Sequence, residues 1–323
     1  MKIWFDVLTP KQYLFFEYFI QKLRKQHKII STSRKYEQVN GIRKFGSINP
    51  IIIGKHGGKN NTSKLLASLK RSQLLTKKIE KTNPDLLISF CSPEASRVAF
   101  GLGIPHIAFS DSPHAKAVMR LSLPYVTKLL TPWIIPKNDF KEFGINSRNI
   151  IQYRAIDAGI IIKNYKKTRQ KKTGTQKTIL IRPEESEAAY INKESNTMKI
   201  IGSVVEKFPN EKKIILSRYK AQSNEIKRKF GRDVYIVSKP VNGKDLLDNV
   251  DCFIGSGGTM TAEAGLLGIP TISLNAVPNR ISREITQSLN DPQIIKKRKQ
   301  TARKFVTSFE DPYQVLLRTI RVL

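Results

Sequence analysis

Glycines that follow an apolar run and precede a helical pattern let backbone N–H groups close on an anion. Gly255-Ser256-Gly257-Gly258-Thr259 stands in that context, after Asp251-Cys252-Phe253-Ile254. Ser256, Gly257, Gly258 and Thr259 are therefore candidate phosphate contacts. The third glycine of G-x-G-x-x-G is missing, which speaks against a dinucleotide cofactor. Glu263 lies four residues further on, where a carboxylate can accept from both hydroxyls of a ribose. Arg182 closes an earlier apolar run with Glu184 nearby, and its planar fork can hold a diphosphate bidentately. Each has a structural alternative: a turn that merely joins strand to helix, a solvated glutamate, and a surface ion pair of Arg182 with Glu184 or Glu185.

Three further residues, Asp111, Asp6 and His56, each come just after an apolar run, at the position where α/β folds place ligands. Any of them can act as a general base, and any can equally be a cap or loop residue. Asp111 is the preferred candidate; His106 and His114 have weaker contexts. Gly54-Lys55-His56-Gly57-Gly58-Lys59-Asn60 looks like a phosphate loop of nucleoside triphosphatases, but its glycines are one residue too close and Asn60 replaces Ser or Thr. Two cysteines and four histidines form no cluster with zinc-ligand spacing, so no metal is expected.

These residues need a scaffold that delivers them to strand ends. Ile3 to Val7 predicts a strand, Thr9-Pro10 the start of a helix, and Ile29-Ile30 a second strand. Tyr13, Phe16, Phe19, Ile20 and Leu23 recur at three- and four-residue steps, a face that packs on a sheet. Ile51 to Ile53 predicts another strand, Leu65 to Ile79 a long helix and Asn83-Pro84-Asp85 its end, and such alternation predicts a parallel sheet. An internal resemblance supports two such sheets. Asp85 to Phe90 leads through Glu94-Ala95 to Gly103-Ile104-Pro105 and a strand ending at Phe109. Asp251 to Gly255 leads through Glu263-Ala264 to Gly268-Ile269-Pro270 and the strand Thr271 to Leu274. The Asp-to-Gly spacing differs by one residue between the copies. In both, Gly predicts a left-handed helix cap, and Pro two positions later stops the helix.

A chain of 323 residues exceeds the usual single domain of roughly 100–200, so two are expected, residues 1–162 and 178–323, joined by the Lys-, Thr- and Gln-rich stretch 163–177. Phe305, Phe309, Val315, Leu316 and Ile320 among basic residues predict one or two amphipathic helices at the end, the last of which packs back on the first domain or, as the alternative, adsorbs to a membrane. Hydrophobic content of 40% with 8% aromatics excludes a disordered chain. The net charge of +31 suits phosphorylated substrates, anionic lipid or nucleic acid, and suits equally a solvated lysine-rich surface. Cys91 and Cys252, each in an apolar run read as a strand, argue against a disulfide framework and for a reducing compartment, the cytoplasm. No stretch approaches the ~18 apolar residues of a membrane span, and Met1 to Asp6 lacks the shape of a signal peptide.

Ser256-Gly257-Gly258-Thr259-Met260-Thr261-Ala262-Glu263 followed by Leu267-Gly268-Ile269-Pro270 resembles the donor site of GT-B glycosyltransferases, particularly the lipid-linked N-acetylglucosaminyltransferase of peptidoglycan synthesis. It is also similar to the Ser-Gly-Gly segment of non-hydrolysing UDP-N-acetylglucosamine 2-epimerases. Over most of its length the chain resembles an archaeal family, domain of unknown function 354. The resemblance runs through Lys2 to Asp6 with Thr9-Pro10, His56-Gly57-Gly58, Ser110-Asp111, Arg182-Pro183-Glu184-Glu185 and Ala189-Tyr190. Gln12 stands where the family pattern has His. The resemblance implies an α/β, GT-B-like fold: two Rossmann-like domains with parallel sheets facing a cleft, the first binding acceptor and the second a UDP- or GDP-linked sugar around Gly257 and Glu263.

Three readings follow. The first is a glycosyltransferase, metal-independent and without a cofactor, its nucleotide sugar being a substrate and its acceptor a glycan or lipid-linked molecule. Retaining relatives carry a second glutamate eight positions before Glu263, where this chain has Gly255, so inversion is expected. The second is a nucleotide-sugar 2-epimerase, against which stands the absence of histidine from the second half. The third is a non-catalytic protein that binds nucleic acid or an anionic membrane; no basic motif interleaved with aromatics supports the nucleic-acid branch. Peripheral contact with the inner membrane face is compatible with the first reading.

Overall fold

The computed structural model describes residues 1–36, 47–58, 60–163, 176–183, 197–237, 241, 243–255, 258–273 and 308–323. The chain divides into two compact units, Met1–Asp157 with Glu310–Leu323, and Ala158–Phe309. Most of the stretch expected as a linker lies outside the described residues, as do Ser256, Gly257 and Glu184.

In the first unit, β1 (Lys2–Asp6), β2 (Lys28–Lys35), β3 (Ile51–Lys55), β4 (Leu86–Ser89), β5 (His106–Phe109), β6 (Lys128–Pro132) and β7 (Ile150–Tyr153) form one sheet in the order β3-β2-β1-β4-β5-β6-β7. Every pairing is parallel. Its helices are α1 (Pro10–Leu23), α2 (Asn61–Thr82), α3 (Pro93–Gly101), α4 (Lys116–Ser122) and the short α5 (Asn138–Lys141); α6 (Asp157–Lys163) follows β7, and only its first residue, Asp157, belongs to this unit. Both sheet faces are covered, as parallel sheets require. The pleat sends Trp4 and Phe5 to opposite sides. Phe5 meets Phe16 of α1 at 5.3 Å between ring centroids, and Phe15 meets Phe109 at 5.4 Å. Trp4 packs with Leu75 and Ile79 of α2 and Val98 and Ala99 of α3.

Thr9 caps α1 by accepting from the Gln12 N–H, with Pro10 in the first turn, and the buried side includes the expected Tyr13, Phe16, Phe19, Ile20 and Leu23. Asn60 caps α2, and left-handed Asn83 ends it, just before Pro84. Cys91, expected inside a strand, instead lies two residues beyond β4 at φ 47°, buried, because the chain must turn sharply there to enter α3.

In the second unit, β8 (Thr178–Arg182), β9 (Lys212–Ile215), β10 (Tyr235–Ile236), β11 (Cys252–Gly255) and β12 (Thr271–Ser273) form a sheet in the order β10-β9-β8-β11-β12, again all parallel. The helices are α7 (Thr197–Lys207), α8 (Lys220–Phe230), α9 (Gly243–Leu247) and α10 (Thr259–Leu266). Ile179, Ile181, Ile201 and Ile226 build one side of the core, and Leu180, Leu247 and Phe253 the other.

The internal resemblance holds at the level of single hydrogen bonds. The Asp85 carboxylate accepts from the Lys2 N–H at 2.6 Å, and that of Asp251 from the Thr178 N–H at 2.8 Å. Leu87 N–H donates to the Pro105 carbonyl and Phe253 N–H to the Pro270 carbonyl. Gly103 and Gly268 both take positive φ, 68° and 77°, and the next residue, Ile104 or Ile269, donates back to Ala99 or Ala264. These bonds make Ala99 the counterpart of Ala264. The Glu-Ala pairs aligned from sequence are therefore out of phase: Glu94 sits in the first turn of α3, Glu263 in the middle of α10.

The last helix, α11 (Pro312–Arg321), belongs to the first unit. Asp311 caps it and accepts from the Tyr18 hydroxyl of α1 at 2.5 Å, while Val315 and Leu316 are buried. Among the described residues no helix is long and apolar enough to cross a membrane.

Candidate active site

Parallel α/β sheets bind ligands beyond the carboxyl ends of their strands, nearest the point where strand order reverses. In the first sheet that point lies between β1 and β4. The loop after β1 leads into α1, whose second residue is Lys11. Its Nζ lies 2.5 Å from Oδ2 of Asp111, two residues past β5, and 2.7 Å from Oδ2 of Asp157, which starts α6 after β7. It also sits 4.9 Å from the centre of the Phe90 ring, just past β4. Ser112 Oγ donates to Asp111 Oδ1 at 2.8 Å, and the Tyr153 hydroxyl donates to Asp157 Oδ1.

The two carboxylates differ in environment. Asp111 is 20% exposed and Asp157 1%. Burial disfavours the charge on Asp111, but the Lys11 ammonium and hydrogen bonds from Lys11 and Ser112 outweigh it and hold its carboxyl below the usual range. Burial dominates at Asp157 and raises its carboxyl despite Lys11. Burial opposes the charge on Lys11 too, but the pull of both aspartates prevails and its ammonium is held above the usual range. The group that reaches solvent is thus an ionised carboxylate backed by a fixed ammonium. His114 lies within electrostatic reach of Asp111, and burial lowers its imidazole.

Asp6 is fully buried. Its Oδ1 accepts from Arg71 Nη2 at 2.7 Å and Thr32 Oγ1 at 2.6 Å, and its Oδ2 from Ser92 Oγ at 2.6 Å. Arg71 also reaches Glu94 at 3.3 Å and the Ile53 carbonyl at 3.1 Å. Asp6 thereby ties β1 to β2, α2 and the start of α3. His56 follows β3, where its ring stacks on Tyr36 at 4.7 Å and its Nδ1 accepts from the Gly58 N–H at 3.1 Å. Four strand spacings separate β3 from β5, on the order of 19 Å, so His56 and Asp111 stand at different places on the sheet edge. His106, inside the sheet, contacts Ser89 Oγ at 2.9 Å, and burial lowers its imidazole to about 3.

The second sheet reverses between β8 and β11, and there Arg182 pairs in register with Gly255. The two sequence candidates, far apart in the chain, are thus neighbours at a strand end. Arg182 Nη1 donates to the carbonyls of Leu216 and Ser217 at 2.8 and 2.9 Å, and Arg218 Nε donates to the Pro183 carbonyl at 3.0 Å. Two guanidinium groups therefore converge on this edge. Gly258 has φ 84°, Thr259 begins α10, and no side chain among the described residues caps that helix. The equivalent helix of the first unit is capped by Ser92, which accepts from the Ala95 N–H. Glu263 is buried, one turn into α10.

Sequence reasoning passed over Lys11, Tyr153, Asp157 and Arg218. Lys11 and Arg218 carried a usable signal, each being a cation in the loop or first helical turn after a strand; Asp157 becomes visible only once β5 and β7 share a sheet.

A family profile described as protein of unknown function DUF354 matches residues 1–317. An uncharacterized protein of Methanocaldococcus jannaschii is 30% identical over 288 residues, covering 84% of this chain and 81% of the relative. Two solved structures share the fold over 100% of both chains at 16% identity. One is the UDP-GlcNAc 2-epimerase of Neisseria meningitidis bound to UDP-GlcNAc (TM-score 0.73), the other that of M. jannaschii in complex with UDP-GlcNAc and UDP (TM-score 0.74). A glycotransferase of kitacinnamycin is similar at TM-score 0.64 and 11% identity, over 99% of this chain and 98% of that one. The fold is GT-B-like, with two Rossmann-like domains and parallel sheets.

Proposed function

We propose that this chain, which belongs to the DUF354 family of proteins of unknown function, is an enzyme that transfers the sugar of a nucleotide sugar to a hydroxyl acceptor with inversion. The observation that carries the reading is the pairing of Arg182 with Gly255 at the reversal point of the second sheet. A guanidinium and the strand end that leads into the glycine loop meet where such sheets bind phosphorylated ligands, and among the described residues no side chain caps the helix that follows. In this reading Ser256, Gly257, Gly258 and Thr259 hold the diphosphate through backbone N–H groups. Arg182 and Arg218 offset its charge in place of a metal, and Glu263 with Glu184 binds the ribose. No resident cofactor is required.

Asp111 is the base. It takes the acceptor hydroxyl proton as that oxygen bonds to the anomeric carbon, and the nucleoside diphosphate leaves with the electron pair of the broken C–O bond. Lys11 and Asp157 act through Asp111 as positioning residues. Asp6, with both oxygens committed to buried partners, is an anchor, and His56 has no part in the transfer. Saturation-transfer NMR with UDP, GDP and their sugars tests the reading. Binding of at least one, weakened tenfold or more by Glu263→Ala, is expected; binding of none sinks the proposal.

The two epimerase structures favour a second reading, in which the same donor site serves inversion at C2 of the sugar and Asp111 exchanges the C2 proton. Solvent deuterium at C2 of UDP-GlcNAc after incubation in heavy water would select it over transfer.

A further inference from the structure

The outer side of the layer formed by α2, α3 and α4 presents large apolar side chains to solvent. These helices cover the same face of the first sheet, α2 against α3 and α3 against α4. On α2, Arg71, Leu75 and Ile79 face inward. At 100° per residue Leu66 and Leu69 stand on the opposite side, 60% and 59% exposed. Phe100 at the end of α3 and Leu121 on α4 are 58% and 59% exposed. The core cluster beneath these helices includes none of the four, and of them Phe100 meets the Tyr125 ring at 5.0 Å between centroids while keeping most of its surface exposed.

The charges of the same surface are positive but for one. Lys70 and Lys77 share the outward side of α2 with Leu66 and Leu69, and Arg97 on α3 with Lys116 and Arg120 on α4 are exposed cations of the helices that carry Phe100 and Leu121. Arg71 is used inside, on Asp6 and Glu94. Across the three helices Glu80 is the one exposed carboxylate, because Glu94 is buried. Apolar side chains flanked by cations match the boundary of an anionic bilayer, where leucine and phenylalanine enter the acyl region and lysine or arginine stays at the headgroups. A second copy of this chain fits poorly. A two-fold contact would set Lys70 and Lys77 against like charges, with Glu80 alone to offset them.

We infer that the α2–α3–α4 face docks this protein peripherally on an anionic lipid surface, Leu66, Leu69, Phe100 and Leu121 inserting and the flanking cations holding the headgroups. This inference does not depend on the proposed sugar chemistry. Full-length chain is sedimented with vesicles of phosphatidylcholine alone and of equal parts phosphatidylcholine and phosphatidylglycerol. The expected result is pelleting with the anionic vesicles only. Leu66→Ser/Leu69→Ser, which keeps every charge and alters no buried residue, should lower the partition coefficient at least tenfold, and Lys70→Glu/Lys77→Glu should do the same. Circular dichroism of both variants checks that they fold. Failure of the unaltered chain to pellet overturns the inference. So does unchanged pelleting of the serine variant, which would assign binding to diffuse charge. Light scattering of the same proteins supplies the remaining arm: a dimer that the serine variant converts to monomer would give the face to a second copy.

Discussion

Asp111, Asp6 and His56 carry the same mark in the sequence, a polar residue just after an apolar run, and burial with hydrogen-bond partners separates them. Asp111 keeps a solvent-facing edge beside a fixed ammonium; Asp6 has none. Asp111→Asn keeps the shape and removes the proton acceptor, so turnover of the sugar substrate should fall about 10²- to 10⁴-fold with little change in thermal stability. Lys11→Met withdraws the charge that holds Asp111 low. The Asp111 carboxyl then rises, and the acidic limb of the pH–rate profile should move to higher pH; an unmoved limb would assign that limb to another group. His106 offers a stability test. Its folded value of about 3 lies below the unfolded value of about 6.5, so between these the unfolded chain binds a proton the native chain refuses. Stability should therefore fall as pH drops below about 6.5, by at most about 1.4 kcal/mol per unit. Urea unfolding from pH 7.5 to 4.5 measures this, and His106→Gln should flatten the curve.

At the scale of elements, the repeated strand–helix–strand segments were legible because their signals are local: an Asp before a strand, a Gly with positive φ after a helix, a Pro beyond it. The phase of Glu94 against Glu263 was equally open to counting, since Glu94 precedes Gly103 by 9 residues and Glu263 precedes Gly268 by 5, and the bonds of Ile104 and Ile269 back to Ala99 and Ala264 bear that count out. The ties between elements were hidden. Arg71 reads as one more cation on a lysine-rich helix, yet it is the buried partner of Asp6 and Glu94. Arg71→Met would take away the guanidinium bonded to both buried carboxylates, leaving them the unbonded charge of Arg34, and should cost about 3–5 kcal/mol in chemical unfolding. At Gly255 a Cβ would come within 2.5 Å of the Phe253 ring and 2.6 Å of Thr261 Oγ1. Gly255→Ala should accordingly shift the strand end, costing about 1–3 kcal/mol and weakening nucleotide binding in the NMR assay.

At the scale of the whole molecule, length and alternation were enough to read two α/β units, and the reversal of strand order in each sheet then says where ligands belong. The charge was harder to read. The net charge of +31 belongs to the chain as a whole, whereas the helix faces show part of it gathered beside exposed leucines. The first unit is discontinuous, since α11 and Asp311 pack on α1 through Tyr18 while Ala158–Phe309 forms the other unit. For a chain made from residue 1 onward, this fixes an order of events. Residues 1–157 emerge first but wait with the outer side of α1 uncovered, the intervening unit can complete its own core meanwhile, and the first to be synthesised is the last to be finished.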